Sequence, residues 1–219
     1  MNLERFQSNW IVLKETRRVI PIFLVVILLS CFNTPDVNAK ERGPGDVVGD
    51  LAERAIGVLR DKDGTTFAER ESAFRSILVE GFHIPTISRF VLGRYWKTAT
   101  DVQRDSYNKV FVDFLVRVYA SRFDAYSGET IEIIKVVKSD IKNDMIVRTK
   151  ILRPGGKAPV GVDYRARIID GGYKVVDVNV EGISMLHTHR VEFASVINRL
   201  GMDGFLNELR AQLEVRGLD

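Results

Sequence analysis

Cysteine is almost missing from this chain: its one residue, Cys31, lies inside an N-terminal apolar segment. The remainder can hold no disulfide, no thiolate metal site and no cysteine nucleophile. Histidine is scarce too, with His83, His187 and His189 the only three. His187-x-His189-x-x-Glu192 has the composition of a metal site, but helical residues two apart point about 200° away from each other. One ion could not take both imidazoles, so no metal site is expected. Concentrated charge is absent: 32 Lys+Arg face 29 Asp+Glu, and no basic run exceeds Arg17-Arg18. That excludes a basic stripe for tracking nucleic-acid phosphates. There is no G-x-x-x-x-G-K-[ST], no G-x-G-x-x-G and no G-x-S-x-G. Pro154-Gly155-Gly156-Lys157 joins two expected strands and opens no helix, which makes it a hairpin turn and not a phosphate cradle.

What is present begins with an export pattern. Residues 19–35 carry no charge, Arg17-Arg18 precede them, and Val37-Asn38-Ala39 before Lys40 is a small-residue cleavage site. Those features make residues 1–39 a secretory signal peptide and residues 40–219 one domain. Pro21 interrupts the apolar run, which is shorter than the ~20 residues of a membrane span. Leu28-Leu29-Ser30-Cys31 also fits a bacterial lipobox, which would lipidate Cys31 and leave a lipoprotein. At 45% hydrophobic and 28% charged residues the chain is globular in composition. About 180 residues suffice for a core without disulfide staples.

Helical periodicity opens the domain. Val47, Leu51, Ala55 and Val58-Leu59 recur at three- and four-residue steps over 46–60. Thr66-x-x-Glu69 is a capping box before Phe67, Phe74, Ile77, Leu78 and Phe82. Pro85 suits the first turn of a short helix ending before Gly93. Thr100-x-x-Gln103 caps the longest helix, 102–126, with one stripe through Tyr107, Val110, Phe111, Phe114, Leu115, Val118 and Phe123.

Strands follow over 130–137, 145–153, 160–169 and 173–180, with tight connections at Lys142-Asn143-Asp144, Pro154-Gly155-Gly156 and Gly171-Gly172. Short connections of this kind make an antiparallel meander. Met145, Val147, Thr149 and Ile151 share one face of their strand. Val160, Val162, Tyr164, Ala166 and Ile168 oppose Asp163, Arg165 and Arg167. The fourth strand breaks the alternation. A Gly171-Gly172 turn puts Ile168 opposite Val175 and Ala166 opposite Asp177, yet the apolar face is Val176, Val178 and Val180. Either a bulge shifts the register or the strand is covered on both sides. Ser184 then caps a helix to about Leu200, Gly201 ends it, and a last helix spans 203–214. The expected class is α+β, with helices packed on a twisted four-stranded antiparallel meander. An exported hydrolase or isomerase would draw on Ser184 and His187, although an N-cap role accounts for Ser184 more simply.

One resemblance is specific. Ile87-Ser-Arg-Phe-Val-Leu-Gly93-Arg-Tyr-Trp96-Lys-Thr-Ala-Thr100, then Gln103, then Phe114-Leu-Val-Arg-Val-Tyr119-Ala, is similar to the MlaC family of periplasmic phospholipid-transport proteins. These are also called toluene-tolerance proteins, and they include hopanoid-associated relatives. Tyr173-Lys-Val-Val-Asp177-Val, Glu181-Gly182-Ile-Ser184, Arg190 and Phe193 extend the likeness to the far side of the meander. Tyr173 departs from it, standing where the family often has tryptophan. The resemblance implies a sheet and helices enclosing an apolar lipid cavity, no enzyme activity, and no cofactor beyond lipid cargo. It implies a soluble carrier of phospholipid, or of a hopanoid-like lipid, between an outer-membrane lipoprotein complex and an inner-membrane ABC transporter complex. Nucleic acid has no part in it.

The role demands enclosure. A diacyl lipid has some thirty methylenes, and at ~0.8 kcal/mol each their exposure to water costs roughly 25 kcal/mol. The candidate lipid-contacting residues are Val147, Thr149, Val162, Tyr164 and Ala166 on the meander's inner face. Phe111, Phe114, Leu115 and Val118 on the long helix form the opposing wall, and Tyr95-Trp96 are a further aromatic pair. A structural adaptor with a filled core would use the same stripes. Asp177, set among valines, needs a partner if buried. Arg190, about two turns into the following helix, is the cation expected to form a structural ion pair with it.

Overall fold

The computed structural model describes residues 42–61, 64–120 and 125–215. The expected signal peptide, its cleavage after Ala39 and the alternative at Cys31 lie outside the described residues. Helix α1 (Pro44–Arg60) begins on a proline, whose missing N–H is harmless in a first turn, and Asp46 accepts from the Gly43 N–H at 2.9 Å. Helix α2 (Phe67–Gly81) has the reciprocal cap expected of Thr66 and Glu69, at 3.2 and 2.8 Å. Helix α3 (Ile84–Leu92) stops at Gly93, where φ is +58°. A single turn, α4 (Tyr95–Thr98), leads to α5 (Asp101–Ala120), capped through Thr100 and Gln103 at 3.0 and 3.2 Å. The described part of helix α5 ends at Ala120, and the expected continuation through Phe123 lies outside the described residues. Tyr126 lies beyond it and donates to the Glu129 carbonyl at 3.2 Å.

The meander has five strands, not four: β1 (Thr130–Lys138), β2 (Asp144–Leu152), β3 (Val160–Ile169), β4 (Gly172–Val180) and β5 (Ile183–Ser184). They neighbour one another in chain order and pair antiparallel. The β3–β4 turn is Asp170-Gly171, one step earlier than expected, with φ of 52° and 81°. An Asp-Gly pair supplies two positive φ values, as the tightest hairpins require. Ala166 consequently faces Val175 and not Asp177, and Arg165 faces Asp177 because Val176 is an extra residue. The strand is both bulged and covered on two sides, since Val175, Val176 and Asp177 are all buried. Helix α6 (Met185–Val215) runs the two expected C-terminal helices together across a break at Gly201, where φ is 70°.

Helices and sheet meet in two apolar clusters. In the larger, Tyr107, Phe111 and Phe114 of α5 pack against Phe193 and Phe205 of α6. Ring centroids lie 4.8 Å apart for Phe193–Phe205 and 5.3 Å for Phe114–Phe193. The smaller joins Val48 and Leu51 of α1 to Ile77 of α2 and to Val147 and Val175 of the sheet. A backbone bond from the His83 N–H to the Val175 carbonyl, 2.9 Å long, ties the α2–α3 corner to β4. No described helix is long and apolar enough to cross a membrane.

Candidate functional site

The two clusters do not fill the space between sheet and helices. A cavity of about 250 Å³ remains. Helix α1 contributes Val48, Leu51, Ala52 and Ala55; α2 adds Phe74, Ile77 and Leu78; α5 adds Phe111, Leu115 and Tyr119. Tyr164, Val178 and Val180 close the sheet side, with Phe82, Ile87, Val91, Met185, Leu186 and His189 completing the wall. The composition of α1 explains the opening. Its Gly45 and Gly49 approach β1 so closely that an added Cβ would lie 3.3 Å from Val136 and from Ile133. Farther along, Ala52 and Ala55 present only methyls, and volume is left unfilled.

A second apolar space of about 180 Å³ lies along the same helix, between Ala52, Ala55, Ile56 and Leu59 and the strand residues Thr130, Ile131 and Ile151. It shares Ala52, Ala55 and Tyr164 with the first. Leu59 and Tyr126 connect it in turn to an open cleft with Arg60, Ser127 and Gly128. The spaces thus lie next to one another, sharing walls, and the cleft has its mouth at the surface beside the end of α1. At that mouth Arg60 Nε donates to the Tyr126 hydroxyl at 3.3 Å.

Tyr164 stands where the two apolar spaces meet. Burial pushes its phenol up to about 12, yet the side chain keeps some free surface. Both hold for a group whose free surface faces an enclosed space instead of bulk water. Its hydroxyl has no hydrogen-bond partner among the described residues. Tyr107 differs: its phenol is also pushed up by burial, but it donates to the Ser88 carbonyl at 3.2 Å.

Of the predicted lining residues, Phe111, Leu115 and Tyr164 reach the cavity. Val147, Thr149, Val162 and Ala166 are buried but contribute no wall; Val147 packs against α1 and α2, and Thr149 Oγ1 donates to the Val162 carbonyl at 2.7 Å. Phe114 is turned to Phe193 and His189, and Val118 packs on the larger cluster. Tyr95 and Trp96 lie apart from the cavity. The Tyr95 hydroxyl donates to Asn198, and the Arg104 guanidinium lies 5.7 Å over the Trp96 ring. The residues missed were Ala52 and Ala55, whose signal is small size on the apolar face of an amphipathic helix.

The expected Asp177–Arg190 pair is not formed. The bulge at Val176 sets Asp177 across from Arg165, 3.4 Å away, and its Oδ1 accepts from the Val178 N–H at 2.8 Å. Arg165 and Arg167 also hold Asp144, at 3.3 and 2.7 Å. Arg190 turns toward α3, with its guanidinium 5.1 Å over Phe90. The Ser184 hydroxyl donates to Asp177 at 3.0 Å and accepts the His187 backbone N–H at 3.1 Å. Ser184 is therefore a helix cap; His187 is exposed, and the two side chains do not form a nucleophile and base.

Comparison with known proteins places this architecture. The chain is 27% identical over 122 residues to the intermembrane phospholipid transport system binding protein MlaC of Haemophilus influenzae. That alignment covers 55% of this chain and 57% of the relative, so the chain spans little more than half the relative's length. The fold matches a phospholipid-binding protein from Ralstonia solanacearum, solved in complex with a phospholipid, with a TM-score of 0.67 and 25% identity. The match covers 78% of this chain and 98% of that one. The sequence model for the MlaC protein family matches residues 50–211, from within α1 to within α6, and the chain belongs to that family.

Proposed function

We propose that the protein is a periplasmic lipid carrier, which holds the acyl chains of a phospholipid in its apolar cavity and passes the lipid between inner and outer membranes. The observation that carries this reading is the pair of neighbouring apolar spaces between the sheet and the helices, the second bordered by the cleft at Arg60. Hydrocarbon walls suit a cargo whose exposure to water is costly, and they offer no arrangement for bond making or breaking. The phospholipid held by the Ralstonia relative and the transport role named for the Haemophilus relative support it.

A cavity without a nucleotide site can equilibrate lipid but cannot drive it uphill. Direction then comes from partners, an outer-membrane lipoprotein complex at one end and an inner-membrane ABC transporter at the other. Extraction of the purified protein followed by mass spectrometry tests the carrier. Stoichiometric two-chain lipid is expected. A protein that stays lipid-free after purification and after incubation with phospholipid vesicles refutes the reading.

A further inference from the structure

We infer that Tyr164 recognises the linkage of the cargo, its hydroxyl donating a hydrogen bond to an acyl-ester carbonyl where the two chains of a lipid diverge. The inference rests on the carrier reading above and specifies which atoms of the lipid the protein senses. A two-chain lipid branches once, and its ester carbonyls sit at the branch with hydrocarbon beyond them. The protein has two apolar spaces that meet at one wall, made of Ala52, Ala55 and Tyr164. One chain in each space brings the branch to that wall. Ala52 and Ala55 offer only methyls there, which leaves Tyr164 as the polar side chain of the three.

The hydroxyl is suited to the task by what it lacks. It has no partner among the described residues, whereas the buried Tyr107 hydroxyl is satisfied by Ser88 and the Tyr95 hydroxyl by Asn198. An ester carbonyl and a phenol brought into the same dry space would each be left unsatisfied, and each can satisfy the other. Burial keeps the phenol neutral, and hence a donor, at any ordinary pH. The preference that follows is for ester-linked lipids over ether-linked or polycyclic hydrocarbon lipids without a carbonyl at that position.

The test loads wild-type protein and Tyr164→Phe from vesicles with equal amounts of two phosphatidylcholines, one diester and one diether, with identical chain lengths. Carried lipid is quantified by mass spectrometry. The wild type should enrich the diester about fivefold, the worth of one neutral hydrogen bond, and Tyr164→Phe should carry both equally. Because Tyr164→Phe deletes an oxygen bonded to no described group, it should fold with a urea midpoint near wild type. Ala55→Leu narrows the same junction without touching a donor, so total load should fall while the diester preference remains. The inference is overturned if the wild type shows no preference, if Tyr164→Phe keeps it, or if Ala55→Leu abolishes it as well. A wild type that carries neither lipid instead brings down the carrier reading itself.

Discussion

Asp144 has no side-chain exposure, and Arg165 and Arg167 both reach its carboxylate oxygens. Arg165 also serves Asp177, so three strands are joined on one face by a shared guanidinium. Buried carboxylates are tolerated when their oxygens are occupied, and removal of one partner is what costs. A double-mutant cycle in urea should find coupling of about 1 kcal/mol or more between Asp177→Asn and Arg165→Gln. Asp177→Asn and Arg190→Gln should be additive. Sequence made clear that Asp177 needed a cation. It could not say which, because the cross-strand neighbour depends on where a one-residue bulge falls, and the broken alternation of the fourth strand signals a bulge without placing it.

At the scale of elements, two close approaches set how the helices stack. Gly81, in the last turn of α2, leaves no room for a side chain: an added Cβ would overlap Leu51 of α1. Gly81→Ala should force the helices apart and cost about 1–3 kcal/mol, read as a lowered urea midpoint. Gly93 plays a related part for α6. Its φ of +58° suits glycine, and a Cβ there would sit 2.7 Å from Arg190 Nε. Two residues nearly a hundred positions apart in the family-like pattern thus touch, which gives Arg190 a packing role where an ion pair was expected. The helix caps were legible because a cap is a local rule of four residues. The last turn of α5 is a different matter, since the apolar pattern runs on from Ala120 through Phe123, outside the described residues.

For the molecule as a whole, large apolar residues turned out to be poor guides to the cavity. Phe114, Phe193 and Phe205 attract one another and close up, and most of the α5 stripe goes into solid core. A hollow forms where side chains are small, and periodicity weighs alanine least. Replacing both Ala52 and Ala55 with Leu should therefore reduce lipid carried per molecule in a protein that still unfolds cooperatively. Ala166→Trp should act differently. Ala166 is fully buried beside Val175, so the variant should lose stability by about 1–3 kcal/mol or more before any change in lipid capacity is seen. Lipid content and urea midpoint measured on the same preparations separate the two behaviours.

The bulge in β4 also works as a spacer in the strand's reading frame. Val175 and Val178 both point to the side of Ala166 and Tyr164, although they are three apart, because Val176 between them is uncounted. Striking out one valine of the Val175-Val176 pair would leave Asp177 facing Arg165 and Val178 facing Tyr164, with every side chain in phase. Such a shortened protein should fold, keep its lipid and lose about 1.5–3 kcal/mol for one buried valine. Striking out Val178 removes a residue that is counted, and Asn179 moves into its place on the cavity wall. Equal-length deletions two or three positions apart should therefore part company in lipid content, the first near wild type and the second depleted.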